Sequence, residues 1–323
     1  MILIDNTISR NPSYNLALEE ALVRQKDDQK AYLLIYINDS SVIIGRHQNI
    51  YEEVNLKYCY DHNIPVLRRI SGGGAVWHDS GNLNFSFINN NSAQLVNNYY
   101  PFLQPVISAL KELGLNTEQS VNNDLFIDGK KICGTAQFTA KNRMLTHGTL
   151  LYNSDLNKAN AALKSPLRPY FTSKSKKSRL SPITNMINFF DENRGIGLFK
   201  ERLIKALYEN KTITKRATLK NEILQTAAKL QNEQYRNWEW NYGRSPGSNF
   251  IRKTDIASII IKVNKGRFSD VRITSNIISA KEINTIENLF NGKKYDILSI
   301  TEITNRIKKL NKSNINWKVL LSE

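Results

Sequence analysis

Three stretches of the chain hold residue types suited to gripping an anion. The first runs Arg68-Arg69-Ile70-Ser71-Gly72-Gly73-Gly74-Ala75-Val76-Trp77-His78-Asp79. Three consecutive glycines cost backbone entropy and pack no side chain. Their use between two strands is bare backbone, with N–H groups close to a ligand. The flanking arginines suit a phosphate or carboxylate, which a guanidinium grips with two parallel bonds. A flexible turn with two solvated arginines is the competing reading. The second stretch is Asn122-Asn123-Asp124, continued by Asp128-Gly129-Lys130-Lys131-Ile132-Cys133-Gly134. Beside an anion site, Lys131 would be a charge clamp; otherwise it is an edge-strand lysine that deters aggregation. Gly134 is a place where backbone can approach a ligand. Asp124 could hold a metal or a ribose, or simply begin a strand. The third stretch is Thr146-His147-Gly148-Thr149. His78 and His147 are either acid–base groups or local hydrogen-bond partners. Cys133 reads better as a small buried hydrophobe than as a nucleophile.

The elements that must position these residues follow from periodicity. Asn11-Pro12 is a helix start, and Tyr14, Ala17, Leu18, Ala21 and Leu22 form one apolar face. Strands are expected at 32–37 and 42–44, then a short helix at about 51–62. Pro65–Arg68 is the strand that delivers the glycines. Leu83, Phe85 and Phe87 alternate with polar residues in the strand that leaves them. A helix spans about 101–113, with Pro105 in its first turn or at a kink. Asp128-Gly129 signals a tight turn between two strands, and residues 146–152 form another strand. Antiparallel hairpins mixed with helices predict an α+β fold rather than a doubly wound parallel sheet. Residues 165–185 are basic, rich in Ser and Pro, and aperiodic; they read as a mobile cationic loop. Helices follow near 197–209 and 218–235, and residues 238–248 read as a linker with aromatic anchors. Strands at 251–263 and 268–274 and helices near 280–290 and 300–310 make a small second domain. The expected boundary gives a large domain over 1–245 and a small one over 246–323.

The bulk numbers narrow the class. Lys and Arg total 45 against 29 Asp and Glu, a net charge of +16. That favours an anionic partner: nucleic acid, a membrane surface or an acidic protein. No apolar run approaches a membrane span. Residues 1–5 read as a first strand, not a targeting segment. Two cysteines, Cys59 and Cys133, cannot build a disulfide framework or a zinc site. A reducing, cytoplasmic setting is expected. No P-loop or dinucleotide glycine fingerprint is present, so any nucleotide must be held by another scaffold.

Taken together, these stretches resemble the lipoate–protein ligases, in the superfamily that includes biotin ligases and octanoyl transferases. The resemblance rests on Arg68 to Asp79 with Gly81-Asn82, on Asn123-Asp124-Leu125, on Gly129 to Gln137, and on His147-Gly148-Thr149-Leu150-Leu151. Gly45-Arg46-His47-Gln48-Asn49, Ser178 to Asn185 and Trp240 to Pro246 extend it over most of the chain. It implies a large catalytic domain of mixed, mainly antiparallel sheets flanked by helices, plus a small C-terminal α+β domain. It also implies a reaction in two steps. Lipoate attacks the α-phosphate of MgATP to give lipoyl-AMP and pyrophosphate; a lysine of an acceptor domain then takes the lipoyl group and AMP leaves. Lys131 matches the catalytic lysine, bridging carboxylate and α-phosphate. Arg69, Ser71, Gly72, Gly73, Gly74, Ala75, Val76, Trp77, Asp124 and Gly134 match the nucleotide site, with Asp124 also toward Mg2+. Arg68, Gly73, His78, Lys131, His147 and Gly148 match lipoate contacts. Lys176, Lys177, Ser178 and Arg179 match a loop that closes over the adenylate. The resemblance implies acidic lipoyl acceptors, namely E2 subunits of 2-oxoacid dehydrogenases and the glycine-cleavage H protein. It implies neither a nucleic-acid nor a membrane partner, and a monomer.

Three other readings compete with this one. An ATP-independent lipoyl or octanoyl transferase on the same fold would use a cysteine thioester. The positions before His147 are Met144, Leu145 and Thr146, without a cysteine; Cys133 and Cys59 stay open for that role. A biotin ligase would carry a Gly-Arg-Gly-Arg type of loop, which is missing. A basic nucleic-acid-binding module would interleave aromatics with Lys and Arg on one sheet face, and no such pattern occurs.

Overall fold

The structure, a computed structural model, describes residues 1–25, 30–190, 195–310 and 315–322. Its frame is an eight-stranded sheet. From one edge the strands are Lys215–Arg216, Ile2–Asp5, Tyr32–Tyr36, Asn82–Asn90, Arg143–Leu151, Lys130–Thr139, Leu125–Ile127 and Glu118–Gln119. The first two pairings are parallel and the rest antiparallel. The mixed, mainly antiparallel expectation holds. Asp128 and Gly129 both take positive φ, 49° and 70°, the pairing that a tight type I′ hairpin needs. That turn fixes the register that puts Phe126 opposite Lys131.

A second sheet of three strands carries the glycine run. Ser41–Ile44 lies between Val66–Arg68, parallel to it, and Val76–His78, antiparallel to it. The glycines therefore cross from one edge of this small sheet to the other. The segment at 51–62 forms two short helices, Ile50–Glu53 and Leu56–Asp61. Asn49 and Asn55 cap them, each accepting a backbone N–H.

The helix Pro12–Val23 begins as expected, with Asn11 accepting the Tyr14 N–H. It is buried on nearly every side. Its Glu19 and Glu20 are therefore drawn into the interior and need partners there. The helix Tyr100–Glu112 continues through Pro105. The stretch expected as a linker holds a turn of helix at Trp238–Asn241.

A four-stranded antiparallel sheet is made by Phe171–Ser173, Ser248–Lys253, Ala257–Asn264 and Arg267–Ser275. Its first strand belongs to the segment expected as a mobile loop. Phe171 pairs with Phe250 and Ser173 with Ser248. The expectation of a segment without regular structure is corrected: it has a strand of its own and backbone bonds from Lys131 N–H to Pro182 O and from Thr184 N–H to Lys131 O. The helices Ala280–Asn288 and Ile297–Leu310 close the C-terminal part. No helix among the described residues is long and apolar enough to cross a membrane.

Candidate active site

The glycine run, the hairpin, the His147 strand and the basic segment converge on one cavity. Its lining includes Arg69, Gly73, Gly74, Ala75 and Val76 from the first, and Asp124, Lys131, Gly134 and Ala136 from the second. His147, Gly148 and Thr149 come from the third, and Lys176, Lys177, Ser178 and Arg179 from the fourth. His78 and Asn122 also line it. Leu16, Tyr36 and Ile43, none of them singled out from sequence, supply apolar wall.

Lys131 Nζ lies 2.8 Å from Asp124 Oδ2, and both side chains are about one-fifth exposed. Gly134 makes this possible: a Cβ there would lie 3.2 Å from Lys131 Cε and Nζ. Gly134 lines the cavity, and its bare backbone also leaves room for the lysine. Gly148 serves the core in the same way. A Cβ on it would fall 2.4 Å from the Phe85 ring and 3.1 Å from Cys133 Sγ.

The glycine run is shaped from below by Arg69. Its Nη2 donates to Gly72 O at 2.6 Å and Gly74 O at 2.8 Å, its Nη1 to Ile43 O, and its Nε to Ser71 Oγ. The guanidinium lines the cavity, and it donates to three of the chain's own carbonyls and to the Ser71 hydroxyl. These bonds hold the loop that lines the cavity. Beneath it, Ser71 Oγ lies 2.7 Å from His147 Nε2, and His147 Nδ1 lies 2.9 Å from Glu19. Burial alone would raise the Glu19 carboxyl; His147 and hydrogen bonds from Ser86 and Tyr36 hold it below the usual carboxylate range.

Arg68 departs further from expectation. It is fully buried and outside the cavity lining. Its guanidinium donates to the carbonyls of Gly45, Arg46, Gln48, Trp240 and Asn241 and to Ser245 Oγ. It ties the strand end at 45–48 to the segment at 240–245 instead of meeting lipoate. Burial pushes it down to about 10. Trp77 is also absent from the lining; it packs in the core and donates to Asp79 at 2.8 Å. Gly72 contributes its carbonyl to Arg69 rather than a face to the cavity.

The basic segment is held over the cavity by two buried carboxylates that sequence reasoning missed. Glu52 accepts from the hydroxyls of Ser173 and Ser175 and lies 3.3 Å from Lys177 Nζ. Glu53 accepts the Ser178 N–H at 3.2 Å. Ser178 Oγ accepts from Ala75 N–H and Gln48 Nε2. A glutamate pair one turn into a short helix carries a faint signal of this kind, since buried carboxylates need donors. The cations Lys176, Lys177 and Arg179 thereby stand around Lys131 and the glycines. Arg179 also bonds Asn122 across the cavity mouth.

Burial pushes both Cys59 and Cys133 up to about 12. Neither buried thiol is a thiolate near neutral pH, and Cys133 Sγ points at Gly134 O. A cysteine thioester therefore finds no activated nucleophile among the described residues. No group of three or more His, Cys, Asp or Glu side chains there could hold a metal by itself. Among the described residues, Asp124 is the one carboxylate in the cavity lining. That donor set fits a hard divalent ion that is held mainly by phosphate oxygens and water, as Mg2+ commonly is.

Comparison with known proteins agrees with this geometry. The model of the lipoyl protein ligase A/B catalytic domain matches residues 11–208, and that of the bacterial lipoate protein ligase C-terminus matches residues 256–320. A lipoate-protein ligase of Bacillus subtilis is 38% identical over 309 residues, 94% of this chain and 93% of its own. A lipoate-protein ligase A solved with ATP superposes with a TM-score of 0.63 at 30% identity, over 75% of this chain and 98% of that one. A bi-partite lipoate protein ligase from Thermoplasma acidophilum, described with its E2 lipoyl domain, gives 0.64 at 30% identity, over 79% and 98%.

Proposed function

The chain belongs to the lipoate–protein ligase family, and from that premise we propose that it activates lipoate with ATP and passes the lipoyl group to a lysine of an acceptor lipoyl domain. The observation that carries the reading is the single cavity that joins the Lys131–Asp124 pair, the glycine run and the cations at 176–179. The family relatives act as ligases by name, and one structural neighbour was solved with ATP.

The first step brings two anions together, so fixed positive charge matters more than proton transfer. A lipoate carboxylate oxygen forms a bond to the α-phosphorus, and the bond to the bridging oxygen of pyrophosphate breaks. Lys131 lies between the two reactants and neutralises charge on both. Lys176, Lys177 and Arg179 hold the phosphates, while Gly73 and Gly74 let them approach the backbone. Asp124 holds Lys131 in place and offers a carboxylate oxygen to Mg2+. Bound there with ATP, Mg2+ would supply charge neutralisation for the leaving pyrophosphate. In the second step an acceptor amine attacks the acyl carbon and loses its proton, and AMP departs with its charge again met by Lys131. Leu16, Tyr36, Ile43 and Val76 take the lipoyl chain. Closure of the basic segment keeps water from the mixed anhydride.

The net charge of +16 suits acidic acceptors such as E2 lipoyl domains and the glycine-cleavage H protein. A monomer acting in the cytoplasm accords with this reading. Lys131→Ala tests the assignment through lipoate-dependent ATP–pyrophosphate exchange. The expected outcome is loss of exchange by at least about a thousandfold with an unchanged unfolding midpoint, the scale of a lost electrostatic stabiliser. Exchange at the wild-type rate would sink the role of Lys131. Activity with lipoyl-protein or acyl-carrier donors and none with ATP would favour the transferase.

A further inference from the structure

The four-stranded sheet of the C-terminal part spends one face on the core and turns the other to solvent. Side chains alternate along its strands. Phe250, Ile259, Ile261 and Phe268 point inward and belong to the hydrophobic cluster. In the run Ile259-Ile260-Ile261 the middle side chain therefore points outward, and it is 40% exposed. Its partner across the strand pair is Ile251, 44% exposed. Neither belongs to a core cluster.

Cations surround this apolar pair. Arg272 stands opposite Ile260 on the other side, and exposed Lys253 and Lys262 lie two positions along from Ile251 and Ile260. Asp270 is the one carboxylate among the outward residues of these strands. Lys262 Nζ and Arg272 Nε share it, at 3.2 and 3.5 Å, so the face keeps a net positive charge. The wider distribution agrees. Residues 246–323 hold 14 Lys and Arg against 7 Asp and Glu, so +7 of the +16 falls on less than a quarter of the chain. The sheet also borders the cavity. Its edge strand Phe171–Ser173 runs into the segment whose Lys176 and Lys177 line the cavity. The chain from Ser173 to Lys176 spans at most about 11 Å.

Resting on the function proposed above, we propose that this outer sheet face is a docking surface for the acidic acceptor domain: acceptor carboxylates meet Lys253, Lys262 and Arg272, and an apolar acceptor side chain covers Ile251 and Ile260. An apolar centre inside a charged rim is the anatomy of a protein contact. A single-stranded nucleic acid would call for aromatic side chains on which bases stack, and the outward residues of these strands include none. A small domain has a radius of gyration of about 13 Å, enough to rest on the face and still reach the cavity beside the sheet edge. The cations steer the acceptor and the isoleucines hold it.

The test separates the two half-reactions. One full-length variant carries Lys253→Glu, Lys262→Glu and Arg272→Glu; a second carries Ile251→Ser and Ile260→Ser. All five side chains point to solvent, so lipoate-dependent ATP–pyrophosphate exchange should stay at the wild-type rate in both, which also reports that each is folded. Transfer to an acidic E2 lipoyl domain should show a KM for that domain raised about tenfold or more in each variant. Only the charge variant should lose the salt dependence of kcat/KM. An unchanged acceptor KM in both variants would overturn the proposal. So would a parallel fall in exchange and transfer, which would place the effect in the fold, or loss of binding to single-stranded nucleic acid with transfer intact, which would give the face to another partner. A wild-type protein without exchange would instead strike the function on which the proposal rests.

Discussion

The neighbouring guanidiniums of Arg68 and Arg69 both end on backbone carbonyls, but they organise different things. Arg68 joins the strand end at 45–48 to the segment at 240–245; Arg69 sets the curvature of the glycine run. Gly45 completes that arrangement, because a Cβ there would fall 2.2 Å from Gly73 O. The glycine run and Lys131 were legible as parts of one site, and the structure brings them to one cavity. The use of the arginines was not legible, because sequence names donors without naming the acceptors that surround them. Glu19 was hidden for a related reason: it sits among residues of a helix expected to have one apolar face, and only burial on all sides shows that it has a partner inside. His78 offers a check on such burial through pH. Its folded value is depressed to about 3 from an ordinary 6.5, so between these values the unfolded chain binds the proton that the folded chain refuses. Stability should then rise with pH across that window and fall on acidification below about 6.5, by about 1.4 kcal/mol per pH unit. The Glu19 contribution has the opposite sign of cause. It is fully present above the ordinary glutamate range and is lost only as pH falls through its lower folded value. The window from pH 6.5 to 5 therefore lies above the range in which the Glu19 contribution is lost. Urea unfolding at pH 7, 6 and 5 should show the slope in the wild type and a flatter profile in His78→Leu; equal slopes would remove His78 as its source.

At the scale of elements, the short helix Ile50–Glu53 governs the segment over the cavity. Its N-terminal end meets the 245–246 turn, with Ile50 N–H near Ser245 Oγ and Asn49 Nδ2 near Pro246 O, both at 3.4 Å. Its two carboxylates take the hydroxyls of Ser173 and Ser175, the ammonium of Lys177 and the N–H of Ser178. Composition alone suggested a mobile loop, since Ser, Pro and Lys without periodicity have no reason to stay ordered by themselves. The order comes from long-range partners, which a local pattern does not record. Glu52→Gln keeps the volume and an acceptor for the serines but removes the ion pair with Lys177. Exposed Lys174, Lys176, Lys177 and Arg179 make the segment a trypsin target once it lifts. Limited proteolysis should cut Glu52→Gln in this segment several-fold faster than wild type, a shift of about 1 kcal/mol in local opening. The KM for ATP should rise with it. Cleavage at the wild-type rate would mean that Glu52 does not hold the segment.

Across the whole molecule, the small C-terminal part is not packed as a separate body. One hydrophobic cluster takes Val42, Ile44, Tyr51 and Trp77 from the catalytic part together with Phe250, Ile259, Phe268 and Tyr295 from the C-terminal part. Tyr51 and Phe171 stack with centroids 5.7 Å apart, and Tyr51 meets the edge of Tyr295 at 4.8 Å. The strand Phe171–Ser173 lies in the C-terminal sheet while the residues just after it cover the cavity. A domain boundary drawn from a change of pattern at 245 and 246 therefore cuts a continuous core and leaves a strand without its neighbour. Cooperativity follows shared burial, so the full chain should unfold in one calorimetric transition. A chain ending at residue 245 would expose Tyr51 and Phe171 and lose the pairing that steadies the basic segment. Its transition should fall by about 10 °C or more, in line with a loss of several kcal/mol of apolar burial. Trypsin should then reach the segment at 174–179 as readily as in Glu52→Gln. Two separate transitions in the full chain, or a truncated chain as stable as the parent, would show instead that the catalytic part holds its loop without the C-terminal sheet.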